Sequence, residues 1–341
     1  MLLRALPIKV WYIGVLLISI LGLAFYLVLG KGTESSVSNS LLHQKQVIAR
    51  AEAGNITSFF QAYGNSVAIL AQLNTMSRQD EMSLRDMDLF VEQWRSSGLV
   101  AGVILTDKDG VVVLNSNVKG TSDTGDLLTD RDYFQWAKAK DRVDKKTYFI
   151  GRPVVSRLGA SEGETIIPVA APVYQDDIFS GVVVAATKLR PLTELYFGLL
   201  NVSNITDVYL ISEDGSLLYS SSEEDALGEN LITRLQGRPF LGSPLTIDVL
   251  KSALATSKEG TLHTKTHLVA YSPVLLEDQK ILLVIASPAQ IISEYTTPTY
   301  VRTTGVLLLV TLAVILFGIT ASRETRIREA KAYERQKSSW K

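Results

Sequence analysis

Two long stretches without a charged residue lie near the ends of the chain. Val10–Gly30 is 21 residues long and Thr303–Ser322 is 20 residues long. At 1.5 Å per residue, a helix of either length spans the roughly 30 Å hydrocarbon core of a bilayer. The pattern therefore predicts transmembrane helices at 10–30 and 303–322. A cleaved signal peptide is the alternative for the first, but its apolar stretch exceeds an h-region and no A-x-A-like site follows it.

Between these segments, the spacing of apolar residues first predicts helices and then strands. From Thr33 to Met76 apolar residues recur at three and four, which is typical of a long amphipathic helix. Ser83–Trp94 repeats this spacing in a shorter helix. After Gly98 the chain changes to β-branched runs separated by Asp-Gly turns, which favour hairpins.

The strand-rich part contains an internal repeat. Val103–Val113 aligns with Val208–Leu218, and Ala171–Ala185 aligns with Ser272–Ile285. Each segment has the form of a strand, a polar turn and a second strand. The repeat predicts two modules of about 100 residues, each a small antiparallel sheet flanked by helices. Because the chain contains no cysteine, these modules are held together by their cores and not by disulfides.

The distribution of charge predicts the topology. Residues 323–341 contain seven basic and three acidic side chains, and residues 1–9 contain two basic ones. Lys and Arg beside membrane helices favour the cytoplasmic side, so both termini are predicted to be cytoplasmic and the chain to cross the plasma membrane twice. Residues 31–298 contain 24 basic and 32 acidic side chains and form a net −8 domain outside the cytoplasm. This charge disfavours nucleic acid as a partner.

Several segments of this outer domain resemble one family. They are Thr129–Ala137 (TDRDYFQWA), Tyr148–Arg157 (YFIGRPVVSR) and Ile167–Tyr174 (IPVAAPVY). With the order of elements over residues 33–298, they resemble the double Cache sensor domains of bacterial receptors. The resemblance implies an α+β fold in which two PAS-like antiparallel-sheet modules lie on one long N-terminal helix. It also implies a membrane-distal module at about 77–190, which usually holds a small extracellular ligand, and a membrane-proximal module at about 200–292.

The resemblance further implies a ligand site around Arg131. Arg131, Tyr133 and Phe134 lie where amino-acid-binding members of the family have an arginine and two aromatic residues. A guanidinium binds a carboxylate through two parallel hydrogen bonds, and neighbouring rings exclude water. The alternative is that Asp130 caps a short helix, Arg131 pairs with Asp130 or Asp132 on the surface, and both rings belong to the core.

Four further side chains face the pocket by the same resemblance. They are Tyr148, Ser156, Arg157 and Tyr174, and each could equally be a strand residue that faces solvent. The family also places an acid for the ligand's ammonium near the end of one strand, where this chain has Ala186. A carboxylate such as an organic acid, or another small polar metabolite, is therefore favoured over an α-amino acid.

Motifs of enzymes are weak or missing in the sequence. His263 and His267 form H-x-x-x-H without the Glu of a zincin, and on one strand they would lie about 13 Å apart. There is no G-x-S-x-G, Walker loop or dinucleotide fingerprint. The sequence therefore predicts no enzyme, metal site or cofactor.

The expected function is that of a membrane-anchored sensor that transmits ligand occupancy through its transmembrane helices. The long helix from Thr33 presents more apolar positions than one sheet needs, which favours a homodimer along it. The tail at 323–341 is short for an output domain, so the chain either contacts a separate cytoplasmic partner or forms the input half of a longer histidine kinase, diguanylate cyclase or chemoreceptor. A surface scaffold that keeps the fold without a ligand is the alternative of another class.

Overall fold

The computed structural model describes residues 8–140, 147–198, 200, 206–221, 240–241, 243, 245–277 and 279–338. Its contacts divide the chain into two units, one formed by Met1–Leu41 with Ala289–Lys341 and the other by Leu42–Pro288. The predicted mixed α+β class, with a long N-terminal helix and two antiparallel sheets, is confirmed.

The first module consists of the first sheet and the helices that surround it. The order of its strands is β2-β1-β6-β5-β3, with β4 also paired to β5, and all pairs are antiparallel. Its elements are α1 (Ile8–Ala71), α2 (Glu81–Arg95), β1 (Val100–Thr106), β2 (Val112–Asn117), α3 (Asp132–Lys138), β3 (Phe149–Ile150), β4 (Val154–Val155), β5 (Thr165–Gln175), β6 (Ile178–Lys188) and α4 (Leu189–Phe197).

The second module repeats this arrangement, with strand order β8-β7-β11-β10-β9. In both sheets the first strand pairs with the last, so the repeat seen in the sequence corresponds to one topology used twice. Its elements are β7 (Asp207–Ser212), β8 (Leu217–Ser220), α5 (Leu245–Thr256), β9 (Gly260–His263), β10 (His267–Leu276) and β11 (Gln279–Pro288). The two histidines of the H-x-x-x-H motif therefore lie on separate strands joined by a turn, and not on one strand as predicted.

The two faces of the first sheet pack against different elements. On β6, Val183 and Ala185 join the core beneath α1 and α2, which includes Phe60 and Tyr63 of α1. Val182 and Val184 point the other way and pack around α3, because successive residues of a strand face opposite sides. Helix α2 is fixed at its start by Asp80, whose carboxylate accepts the backbone N–H groups of Met82 and Ser83.

The unit formed by Met1–Leu41 and Ala289–Lys341 is helical where it is described. Helix α6 (Ile291–Ser338) contains Ile291–Ala332, which is long and apolar enough to cross a membrane and includes the predicted span 303–322. It is the one candidate span found among the described residues, so the predicted pair of transmembrane helices is not established. The backbone of the other predicted span, 10–30, belongs to α1, but most of its side chains lie outside the described part of the chain.

Candidate functional site

A small cavity opens on the face of the first sheet opposite α1. Gly102 and Ile104 of β1 and Val184 and Ala186 of β6 contribute to its wall, and Arg131 and Tyr133 close it at the start of α3. The space open to the centre of a water molecule is about 60 Å³. Most of its walls are apolar, including Ala101, Val103, Leu128, Val154, Leu158, Ala160, Ile166 and Pro168. A concave apolar site with a few polar groups is the usual form of a small-molecule site.

One wall of the cavity is the loop between β4 and β5, and a serine holds it in shape. The Ser156 hydroxyl donates to the Leu158 carbonyl at 2.9 Å and accepts from the Ser161 hydroxyl at 3.1 Å. Gly159 has a positive φ of 63°, a region that favours glycine, and its N–H donates to an Asp123 oxygen at 2.9 Å. Ser156 is thus in the cavity wall, with its hydroxyl already engaged by the loop.

The Arg131 guanidinium lies at the wall of this cavity, and one of its donors has no partner among the described residues. Its Nε is buried, and no described residue accepts a hydrogen bond from it. The surface pairing considered for Arg131 is made by Arg157 instead, whose guanidinium donates to both oxygens of Asp130 at 2.9 Å. Nor does Asp130 cap the helix: Arg131 is the N-cap residue of α3 and makes no side-chain capping bond. A buried donor without a partner is costly, so a ligand oxygen at this point would satisfy it.

The two aromatic residues that follow Arg131 point in different directions. Tyr133 lines the cavity and is 6% exposed, and burial raises the pKa of its hydroxyl to about 12. Phe134 is 2% exposed and meets the Phe179 ring edge to face, with 6.1 Å between the ring centres. Phe134 is therefore part of the core around α3 and not of the cavity lining.

Tyr148 and Tyr174 also lie away from the cavity. Tyr148 packs in the core beneath α1, where its ring covers Gly64. Burial and the nearby Glu277 carboxylate raise the pKa of the Tyr148 hydroxyl to about 12. The Tyr174 hydroxyl donates to the Lys140 carbonyl at 2.9 Å, and its ring meets Phe179. Of the seven predicted site residues, the structure thus brings four together at the cavity: Arg131, Tyr133, Ser156 and Arg157.

The cavity also contains an acid that the sequence did not single out. Asp123 lies in the loop after β2 and accepts hydrogen bonds from the Gly159 N–H and the Asn115 amide. Burial raises the pKa of the Asp123 carboxyl, and the neighbouring Asp126 and Glu162 raise it further, while the two hydrogen bonds act in the opposite direction. Nothing in its sequence context distinguishes this aspartate from the many turn acids of the chain.

Comparison with known families identifies the family to which the fold belongs. The profile of the Cache domain matches residues 32–294, more than half of the chain. The chain belongs to the Cache domain family. The resemblance inferred from the sequence segments is thereby confirmed, and Cache domains are sensor modules of membrane receptors that bind ligands. No curated protein matches the chain.

Solved structures share this Cache fold at low sequence identity. The ligand-binding domain of the Pseudomonas aeruginosa PAO1 amino acid chemoreceptor PctC, in complex with GABA, is 18% identical with a TM-score of 0.50, over 72% of this chain and 98% of that one. A domain of a putative sensory box/GGDEF family protein from Vibrio parahaemolyticus is 15% identical with a TM-score of 0.56, over 76% and 99%. An extracellular ligand binding receptor from Desulfohalobium retbaense is 14% identical with a TM-score of 0.55, and the match covers 70% of this chain but 39% of that one.

Proposed function

We propose that this chain is a membrane-anchored extracytoplasmic sensor whose first module, the membrane-distal one, binds a small carboxylate ligand. The single observation that carries the proposal is the buried Arg131 Nε, which no described residue satisfies, at the wall of a mostly apolar cavity. A planar guanidinium in such surroundings matches a carboxylate in charge and in geometry. Membership of the Cache family and the GABA-bound relative support the same class of ligand.

Each part of the cavity has a role in this proposal. Arg131 binds the carboxylate, Tyr133 covers it with its ring, and the apolar strand residues around Ile104 and Val184 receive the rest of the ligand. The loop that Ser156 holds in shape closes the site from the side. Since the open space is small, the ligand is a metabolite of few heavy atoms and not a peptide.

Transmission of the signal is the second part of the proposal. The helix that begins at Ile291 follows β11 of the second module along the chain, and we propose that it crosses the membrane at 303–322, with 10–30 as the second span. Ligand occupancy then changes the relative setting of these helices in a homodimer along α1, and residues 323–341 contact a cytoplasmic partner or continue into an output domain of a longer receptor. Such a longer receptor would be a histidine kinase, a diguanylate cyclase or a chemoreceptor.

A thermal-shift screen of the full chain in detergent tests this function against the scaffold alternative. A compound that binds only the folded protein raises its stability by about 2.7 kcal/mol at 100 times its Kd, and the melting point therefore rises with concentration. We expect small carboxylates to produce such a rise. If no compound of a broad metabolite set does so, the domain is a scaffold and the proposed function is wrong.

A further inference from the structure

The charges around the cavity are not balanced by the protein alone. Its lining contains three charged side chains, Asp123, Arg131 and Arg157. Arg157 is neutralised by Asp130 at the exposed rim. One guanidinium and one carboxylate therefore face the same small cavity, and neither has an oppositely charged partner among the described residues.

No described basic side chain is paired with Asp123. Its two hydrogen-bond donors, the Gly159 N–H at 2.9 Å and the Asn115 amide at 3.2 Å, are neutral. A carboxylate offers about four lone-pair positions, so two remain open. The neighbouring charges of Asp126 and Glu162 are negative, and they raise the pKa of the Asp123 carboxyl together with burial. A cation at this position would relieve both the repulsion and the loss of hydration.

We propose that Asp123 binds the positively charged group of the ligand, so that the cavity takes a small zwitterion with its carboxylate on Arg131 and its ammonium on Asp123. This inference rests on the proposed function, because it assumes that Arg131 binds a carboxylate. The strand β6 contributes Ala186 and no acid to the wall. In this chain the acid therefore comes from the loop after β2, and Asp123 determines specificity for ligands that carry an amino group.

A purely structural role is the competing explanation, since Asp123 also fixes the Gly159 loop. Asp123→Asn separates the two roles, because asparagine keeps an oxygen that can accept the Gly159 N–H but removes the negative charge. Asp126→Asn is the matched control. Asp126 lies in the same loop, is exposed and is not part of the cavity lining, and its replacement removes the same charge.

The experiment is isothermal titration of the full chain in detergent with four matched pairs of compounds. These are glycine and acetate, L-alanine and propionate, GABA and butyrate, and L-leucine and 4-methylpentanoate. We expect the wild type to bind the amino member of at least one pair tenfold or more tightly, since a site built for an N–H group rejects the analogue that lacks it. Asp123→Asn should remove this preference by weakening the amino member about 10- to 100-fold, while the other member changes less than twofold. Asp126→Asn should change the Kd of either member less than threefold, because it removes only an exposed charge that does not line the cavity.

The outcomes separate this inference from the proposed function. If the carboxylate alone binds as tightly as its amino partner, or if Asp123→Asn weakens both members equally, Asp123 does not bind the ligand. In that case binding that is lost in Arg131→Ala still supports the proposed function. If no member of any pair binds the wild type, both the inference and the carboxylate site are wrong.

Discussion

Replacing Arg131 is the most direct test of the site. The guanidinium is partly buried, and its Nε is fully covered and unsatisfied in the absence of a ligand. Truncating one side of a buried, hydrogen-bonded charge pair costs about 2 to 5 kcal/mol. Because the rest of the guanidinium is partly exposed, we expect Arg131→Ala to fall at the lower end, about 2 to 3 kcal/mol, which is roughly a 30- to 150-fold rise in Kd.

Arg131→Lys measures how much of this loss of affinity comes from the planar geometry of the guanidinium and not from its charge. Lysine keeps the charge but loses the planar pair of donors, so its Kd should lie between those of the wild type and Arg131→Ala. Arg152→Ala is the matched control, because Arg152 is an exposed arginine near the cavity that is not part of its lining. We expect the Kd of Arg152→Ala to rise less than threefold, because this variant loses only long-range attraction of the ligand.

The assay is isothermal titration of each variant with the compound that the thermal screen identifies, after the melting point without ligand has been recorded. Replacing a surface arginine changes the free energy of unfolding by about 0.5 kcal/mol or less. If Arg131→Ala keeps its melting point and still loses binding, the loss therefore comes from the site and not from unfolding. Unchanged Kd values for both Arg131 variants would refute the site. A larger loss in Arg152→Ala than in Arg131→Ala would move the ligand to the open groove that both arginines border.

Three further predictions concern topology, assembly and packing. Protease added outside intact cells should cleave the 31–298 domain while a C-terminal tag stays protected; protection of the domain would contradict the charge argument. A single cysteine at Val47, which is 48% exposed on α1, should cross-link into dimers in membranes, and uniformly monomeric chains would exclude a homodimer along this helix. Gly64→Ala would place a Cβ 2.3 Å from the Tyr148 ring and should lower the free energy of unfolding by about 1 to 3 kcal/mol, measured by thermal unfolding. The control Gly54→Ala meets no atom within 4 Å and should raise the free energy of unfolding by about 0.5 to 1 kcal/mol. Equal effects of the two substitutions would show that the Tyr148 ring moves freely.

The fold could be predicted from the sequence because the pattern of strands and turns that forms one module occurs twice along the chain. The segments Val103–Val113 and Val208–Leu218 became β1 with β2 and β7 with β8, in the same position of each sheet. The second helix was predicted at Ser83–Trp94 and is observed at Glu81–Arg95. Local spacing and turn residues suffice for such elements, since each follows from contacts between near neighbours in the chain.

The side chains at the cavity were harder to predict, for reasons of geometry. Tyr133 and Phe134 are consecutive in a helix with 3.6 residues per turn, so they point about 100° apart and only one reaches the cavity. Tyr148 comes directly before β3, a strand of two residues, and so short a strand shows no alternation from which its face could be inferred. Tyr174 lies on the cavity face of β5, where its ring meets Phe179 of the cluster around α3, but it is far along the strand from Ile166 and Pro168, which line the cavity.

The two modules show why the same fold gives a cavity in one place and a packed core in another. Ile104 lies opposite Val184 in the first sheet, and Tyr209 lies opposite Val284 in the second, at equivalent positions of the repeat. In the second module this face is covered by the 12-residue helix α5, and Phe240 meets Tyr209 edge to face at 5.5 Å. In the first module the covering helix α3 has 7 residues, and the space beyond its start is closed by a loop and by a charged side chain, Arg131, instead of apolar ones. A hydrophobic core needs no ligand to be complete, whereas a desolvated guanidinium does, and on this ground we propose that the first module binds the ligand and the second is a scaffold.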